Sequence, residues 1–129
     1  MRFILPLFPV EFELPADWWA ESGMADFTIT GSAFRSTPEA TLILLRDIEP
    51  PFRFPESHLD WKGFNQDRMI SILQGIATGA EIEPVPLYLL PPLPHEFLPA
   101  PFRYRVLDGY HRFYASIAAG YEYLPTVIK

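Results

Sequence analysis

Between Asn65 and Gly79, apolar side chains at Met69, Ile72, Leu73 and Ile76 keep the three-and-four spacing of one helix face, with Asn65 as N-cap and Gly79 as stop. A second such stripe, Tyr110, Phe113, Tyr114, Ile117 and Ala118, predicts a helix over Gly109–Ala119 that Gly120 terminates, with Arg112 and Ser116 nearer the opposite side. Strands are predicted at Phe27–Thr30 and Ala40–Arg46, which are rich in β-branched and apolar residues and read as a hairpin, and at Pro84–Leu90, Phe102–Leu107 and Leu124–Ile128. From Phe3 to Phe12 the prolines at 6 and 9 permit an extended segment only at a sheet edge. Pro15–Glu21 reads as a short helical turn ending near Gly23, Pro50–Glu56 as a loop, and Pro91–Pro101 as a proline-rich loop. Helix and strand alternate in the C-terminal half behind a mainly β front half, so the expected class is α+β, a mixed β-sheet with helices packed on it.

The chain has 129 residues, 49% of them hydrophobic, enough for one core and too few for a second domain to be expected. The 10 basic and 16 acidic side chains leave a net charge of −6, which repels a nucleic-acid backbone and argues against DNA as a partner. Without cysteine there are no disulfides, thiolate metal sites or cysteine nucleophiles, as suits a cytoplasmic protein. The apolar opening Met1–Val10 carries two prolines and reaches Glu11 too early for a secretory signal, and no apolar run is long enough to cross a membrane.

The chemistry concentrates in Val106-Leu107-Asp108-Gly109-Tyr110-His111-Arg112, a strand that passes through a tight turn straight into a helix. The first N–H groups of such a helix lack intrahelical partners and, with the positive end of the helix dipole, attract a phosphate-like anion. Asp108, Gly109, Tyr110, His111 and Arg112 are therefore the candidate ligand-binding residues. Gly109 reads either as a turn residue alone or as a position that would admit a phosphate oxygen, and Arg112 would offer a bidentate fork. A cation in a helix's first turn is disfavoured unless an anion or carboxylate compensates it, which favours the ligand role for Arg112 over a surface ion pair. Asp108 is open to two readings, N-cap or ligand. So is His111, as a structural hydrogen-bonding group or as the candidate catalytic acid or base. Arg53, in the loop before the first long helix, is a further candidate for the same anion.

Elsewhere the signals are structural. His58, His95 and His111 show no metal-ligand spacing, Trp18, Trp19 and Trp61 fit core packing, and Asp67 with Arg68 fits a solvated helix face. No Gly-x-x-x-x-Gly-Lys loop, Gly-x-Ser-x-Gly elbow or basic-aromatic stripe is present.

At the Asp108–Arg112 turn the chain resembles the ParB/sulfiredoxin-like superfamily, in which a strand ends in such a turn and a His-Arg or Arg-Arg pair opens a helix. Ile70–Ile76 with Glu83–Tyr88 is similar to that family's helix and following strand, and Gly120 with Leu124–Val127 to its closing glycine and strand, so the resemblance covers residues 65–129. Residues 1–50 have no counterpart and read as a mainly β extension. The resemblance implies a fold that binds nucleotide phosphates, used in that superfamily for ATP-dependent sulfinic-acid reduction, CTP-dependent switching and phosphorylation of free serine. Tyr110 stands where sulfiredoxins carry cysteine, which excludes their reaction, and the sequence stops at Lys129 without the helix-turn-helix of partition proteins. The serine kinases resemble the turn most closely, with Asp-Gly-His-His-Arg, although Tyr110 replaces their first histidine and no catalytic carboxylate maps onto the front half. The expectation is a small domain binding a nucleotide or phosphorylated small molecule, with Mg²⁺ arriving on the phosphates and phosphoryl transfer as the associated reaction. The alternative is a non-catalytic accessory protein that keeps the fold and contacts a protein partner or a second copy of itself.

Overall fold

The computed structural model describes residues 1–6, 11–53, 60–91 and 102–129. The chain opens with two short strands, β1 (Arg2–Ile4) and β2 (Glu11–Glu13), paired antiparallel as a separate ribbon, followed by helix α1 (Ala16–Glu21). Strand β3 (Thr41–Leu44) runs through a 3₁₀ turn at Leu45–Asp47 into β4 (Ile48–Glu49). Helix α2 (Gln66–Thr78), strands β5 (Val85–Leu89) and β6 (Tyr104–Val106), helix α3 (Tyr110–Ala119) and strand β7 (Tyr123–Ile128) complete the chain. Among the described residues the main sheet has the order β3-β7-β5-β6-β4, with β3 antiparallel to β7, β7 parallel to β5, β5 antiparallel to β6 and β6 parallel to β4. The class is α+β with a mixed sheet.

Both long helices begin and end where their sequence dictates. Asn65 Oδ1 accepts the backbone N–H of Arg68 at 2.9 Å, and Gly79, at φ +73°, turns the chain out of α2. Met69, Leu73 and Ile76 are buried as their spacing requires, with Ile72 at the margin. Helix α3 lies between the sheet and α2 with the β1–β2 ribbon, and Phe113 through Ala118 are all buried. An aromatic chain links the ribbon to the start of α3: Phe12 packs on Phe64 and Tyr114, and Phe64 packs on Tyr110, His111 and Tyr114 at 5.0–6.0 Å between ring centroids. Burying each of these rings stabilises the fold by roughly 1.5–3 kcal/mol. Trp18 is in the core, and the half-buried Trp61 donates its Nε1–H to the Glu13 carbonyl.

Two expectations are corrected. Phe27–Thr30 is extended but joins no ladder, and the segment 40–46 forms no hairpin with it. Ile43 faces the buried Leu124 and Thr41 the buried Thr126, so β3 gains its partner from the C-terminus and local β propensity is overridden. At the two ends of the segment 3–12, Phe3 pairs with Phe12 and Ile4 with Glu11 in the two-stranded ribbon, where each strand is an edge strand, as the prolines require. Within the first fifty residues β3 and β4 form both outer strands of the main sheet, and β1 and β2 the separate ribbon. Finally, Ser116 is buried, because α3 is covered on every side along its second half. The loop predicted at 91–101, part of that at 50–56, and His58 and His95 lie outside the described residues.

Candidate functional site

The turn between β6 and α3 is closed so tightly that only glycine fits. Gly109 has φ +125°, and a Cβ there would stand 2.8 Å from Val85 Cγ1 and 3.1 Å from Arg112 Nη2. The missing side chain thus faces β5 and a guanidinium, so Gly109 serves the packing of the turn and its Cβ direction does not point to a ligand.

Arg112 has partners that no sequence pattern announces. Its Nη1 donates to the carbonyls of Glu83 and Pro84 at 2.9 and 3.0 Å, and its Nη2 approaches the Asp108 carbonyl at 3.5 Å. The cation that the dipole argument assigned to an anion is compensated by carbonyl dipoles, clamping the chain ahead of β5 to the turn ahead of α3.

The starts of the two helices differ sharply. At α2 three donors are engaged by side chains: Asn65 N–H donates to His111 Nε2 at 2.9 Å, Gln66 N–H to Asp60 Oδ2 at 2.7 Å, and Arg68 N–H to Asn65 Oδ1. At α3 the N-cap is Gly109, no side chain caps the helix, and Phe113 N–H is bonded to the Gly109 carbonyl at 2.9 Å. The N–H groups of Tyr110, His111 and Arg112 therefore lack a carbonyl four residues back. Asp108 is not the cap; its carboxylate is exposed.

His111 is 9% exposed, and burial together with the nearby Arg68 charge lowers its pKa to about 4, so the imidazole is neutral at pH 7. Since Nε2 accepts a hydrogen bond, the proton sits on Nδ1. That Nδ1–H finds no acceptor among the described residues and is not among the buried unpartnered atoms, so it reaches solvent.

A cleft of about 430 Å³ lies between the first turns of α2 and α3. Asp67, Arg68, Ser71 and Ile72 line it from α2, and Asp108 through Arg112 from the turn and α3. Five of the six expected site residues thus meet here: Asp108, Gly109, Tyr110, His111 and Arg112. Tyr110 joins mainly as a wall, since its ring packs on Phe64, His111 and Tyr114, and desolvation raises its hydroxyl's pKa. Arg53 is not brought to the cleft: it donates to the carbonyls of Lys62 and Glu11 and lies 5.7 Å from the Phe64 ring centroid.

The residue that sequence reasoning missed is Arg68. It is exposed in the cleft, and no ion pair or side-chain hydrogen bond engages its guanidinium among the described residues. The signal was present, because a cation three residues after the Asn65 cap meets the same dipole objection as Arg112. The cleft therefore brings the start of α3, with three backbone donors that lack intrahelical partners, beside the Arg68 guanidinium: a set suited to an oxyanion.

No family model, curated protein or solved structure matches this chain. What the fold and cleft define is a class: an α+β protein with a mixed sheet and an uncapped, buried helix opening on a polar cleft. Among the described residues no helix is long and apolar enough to cross a membrane.

Proposed function

We propose that the protein is a ParB/sulfiredoxin-like domain that binds the phosphate of a nucleotide or phosphorylated small molecule in the cleft between α2 and α3. The observation that carries this reading is the N-terminus of α3, which no side chain caps and which opens beside Arg68, while at the neighbouring helix start the N–H groups of Asn65, Gln66 and Arg68 are engaged by side chains. The order of helix, proline-led strand, strand, glycine turn, helix and closing strand over residues 66–128 supports the superfamily resemblance. Mg²⁺ accompanying a nucleotide would be held mainly by phosphate oxygens and water, since among the described residues no three His, Asp or Glu side chains converge as metal ligands. The reading is one of binding. Phosphoryl transfer would need a proton acceptor, and His111, neutral with Nε2 already accepting, does not offer one.

The test is a thermal-shift series on wild type and Arg68→Ala with ATP, ADP, CTP, GTP and inorganic phosphate, with and without Mg²⁺. A ligand at a hundred times its Kd stabilises the folded state by about 2.7 kcal/mol, so binding at accessible concentrations raises the wild-type Tm, and Arg68→Ala diminishes the rise. No shift with any ligand at millimolar concentration sinks the reading.

A second reading, a protein-interaction role, is favoured by the sheet face turned away from the helices. There Leu107 (53% exposed), Pro86 and Val127 (38% exposed) form an apolar row across three adjacent strands, with the exposed Leu42 opposite Pro125 in the next row. Concentration-dependent sedimentation that Val127→Lys abolishes would favour it.

A further inference from the structure

Strand β3 is an outer strand of the main sheet, and its free edge is unguarded. Leu45 N–H donates to the Glu122 carbonyl and Thr126 Oγ1 to the Thr41 carbonyl, so Thr41 and Ile43 turn their backbone groups toward β7, and Leu42 and Leu44 turn theirs away from it. Among the described residues nothing pairs with that edge. Two groups at its ends are engaged from within the chain: Ala40 N–H donates to the Thr37 carbonyl, and the Leu44 carbonyl accepts the first bond of the 3₁₀ turn at Leu45–Asp47. The Ala40 carbonyl, both backbone groups of Leu42 and the Leu44 N–H stay open. Outer strands are ordinarily guarded by charge, proline or shortness. The opposite edge shows all three, since β4 is two residues long, carries Glu49 paired to Arg105, and runs into Pro50 and Pro51. Strand β3 shows none: Thr41-Leu42-Ile43-Leu44 has no charge and no proline, and Leu42 is 48% exposed.

The charges flanking this edge select the partner. Glu39 stands just before β3 and Arg46 just after it, both are exposed, and neither takes part in an ion pair or side-chain hydrogen bond among the described residues. A strand with an acidic entry and a basic exit is complementary to its own copy laid antiparallel, whereas a parallel copy would stack like charges. We propose that β3 is a self-association edge, on which two copies of the chain pair β3 with β3 about a twofold axis at Leu42 and join their five-stranded sheets into one. Each copy's Leu42 N–H donates to the other's Leu42 carbonyl, and each Leu44 N–H to the other's Ala40 carbonyl. Every open group is then used, and none that is already engaged is called on. On the face turned away from the helices, Leu42, opposite Pro125 within its own sheet, gains its twin as a neighbour. The contact is short, so the dimer is weak and concentration-dependent. This inference does not rest on phosphate binding, and it goes beyond the interaction reading by naming both the partner and the edge.

Analytical ultracentrifugation of the full chain, from micromolar to near-millimolar protein, tests this with variants at the two exposed flanking charges, which leave the strand itself intact. Wild type is expected to dimerise within that range. Glu39→Arg and Arg46→Glu should each weaken the dimer on the order of tenfold, because each turns two exposed attractions across the twofold into repulsions. The double variant Glu39→Arg/Arg46→Glu restores complementarity with the signs exchanged and should return to within about threefold of wild type, a rescue that misfolding would not produce. A wild type that stays monomeric throughout overturns the inference, and so do single variants that dimerise like wild type or a double variant no better than either single one. Dimerisation that Val127→Lys abolishes and the charge variants leave unchanged assigns the contact to the exposed sheet face, which overturns the edge while upholding the interaction reading.

Discussion

The backbone N–H of Asn65 donates to Nε2 of His111 across 2.9 Å, so the cap residue of α2 is held by the second residue of α3. The bond fixes the imidazole tautomer and the distance between the two helix starts that bound the cleft. His111→Ala removes a buried ring that packs on Phe64 and Tyr110 and leaves the Asn65 N–H without its acceptor. The expected loss is about 2–4 kcal/mol, read as a lowered urea midpoint. An unchanged midpoint would contradict a structural role for this histidine.

The same residue sets a pH dependence. An unperturbed imidazole titrates near 6.5 and His111 near 4 in the folded protein, so between those values the unfolded chain binds the extra proton. Stability therefore falls as the solution is acidified from pH 6.5 to 4, by about 3 kcal/mol in full, and this group adds no slope above pH 6.5. Urea midpoints at half-unit intervals, with the His111 ring resonances followed by NMR, measure it; a resonance titrating near 6.5 would refute the assignment.

Gly109→Ala combines two costs, a Cβ at 2.8 Å from Val85 and a non-glycine residue at φ +125°. The expected destabilisation is about 2–4 kcal/mol. Combining it with Val85→Ala relieves the contact but not the backbone strain, so the double variant should lose less than the sum of the two single changes. Additive losses would show that the contact with Val85 is not the cause.

Arg112 and Arg68 should respond in opposite ways. Arg112→Ala frees the Glu83 and Pro84 carbonyls and is expected to lower stability by about 2–3 kcal/mol, whereas Arg68→Ala should stay within about 0.5 kcal/mol of wild type. The sequence alone favoured a ligand role for Arg112, under which Arg112→Ala would leave folding intact. Thermal melts of the two variants decide the matter, and a stable Arg112→Ala protein would restore the sequence-based view.

Ser116 offers a gain. Its Oγ is buried without a hydrogen-bond partner among the described residues, so Ser116→Ala should stabilise the protein by about 1 kcal/mol. A lower Tm for that variant would reveal a partner for the hydroxyl.

The elements legible in the sequence were those that local chemistry determines. Asn65 and Gly79 bounded α2, Gly120 ended α3, and the proline-led run before Leu90 became β5, because caps, stops and periodicity act within a few residues. Strand pairing was not legible, since nothing near Ala40 announces that Thr41 will pair with Thr126. The site divided along the same line. The glycine turn and its helix could be read, but the fate of Arg112 depended on carbonyls 28 and 29 residues earlier, and Arg53 was drawn off by carbonyls of Lys62 and Glu11. A charged side chain's partner is a long-range fact, and residue type alone does not reveal it.

The strand order also bears on how the protein assembles as it is made. Strands β3 and β4 leave the ribosome together, yet they belong at opposite edges of the sheet, and β7, β5 and β6, which fill the space between them, are synthesised later. The hydrogen bond from Thr126 to the Thr41 carbonyl spans 85 residues. Until β6 emerges β4 has no neighbour to pair with, and until the last strand emerges β3 has none. Folding is therefore a late and largely concerted event, slow for a chain of this size, and a nascent chain halted before Tyr123 should remain open to proteases and chaperones.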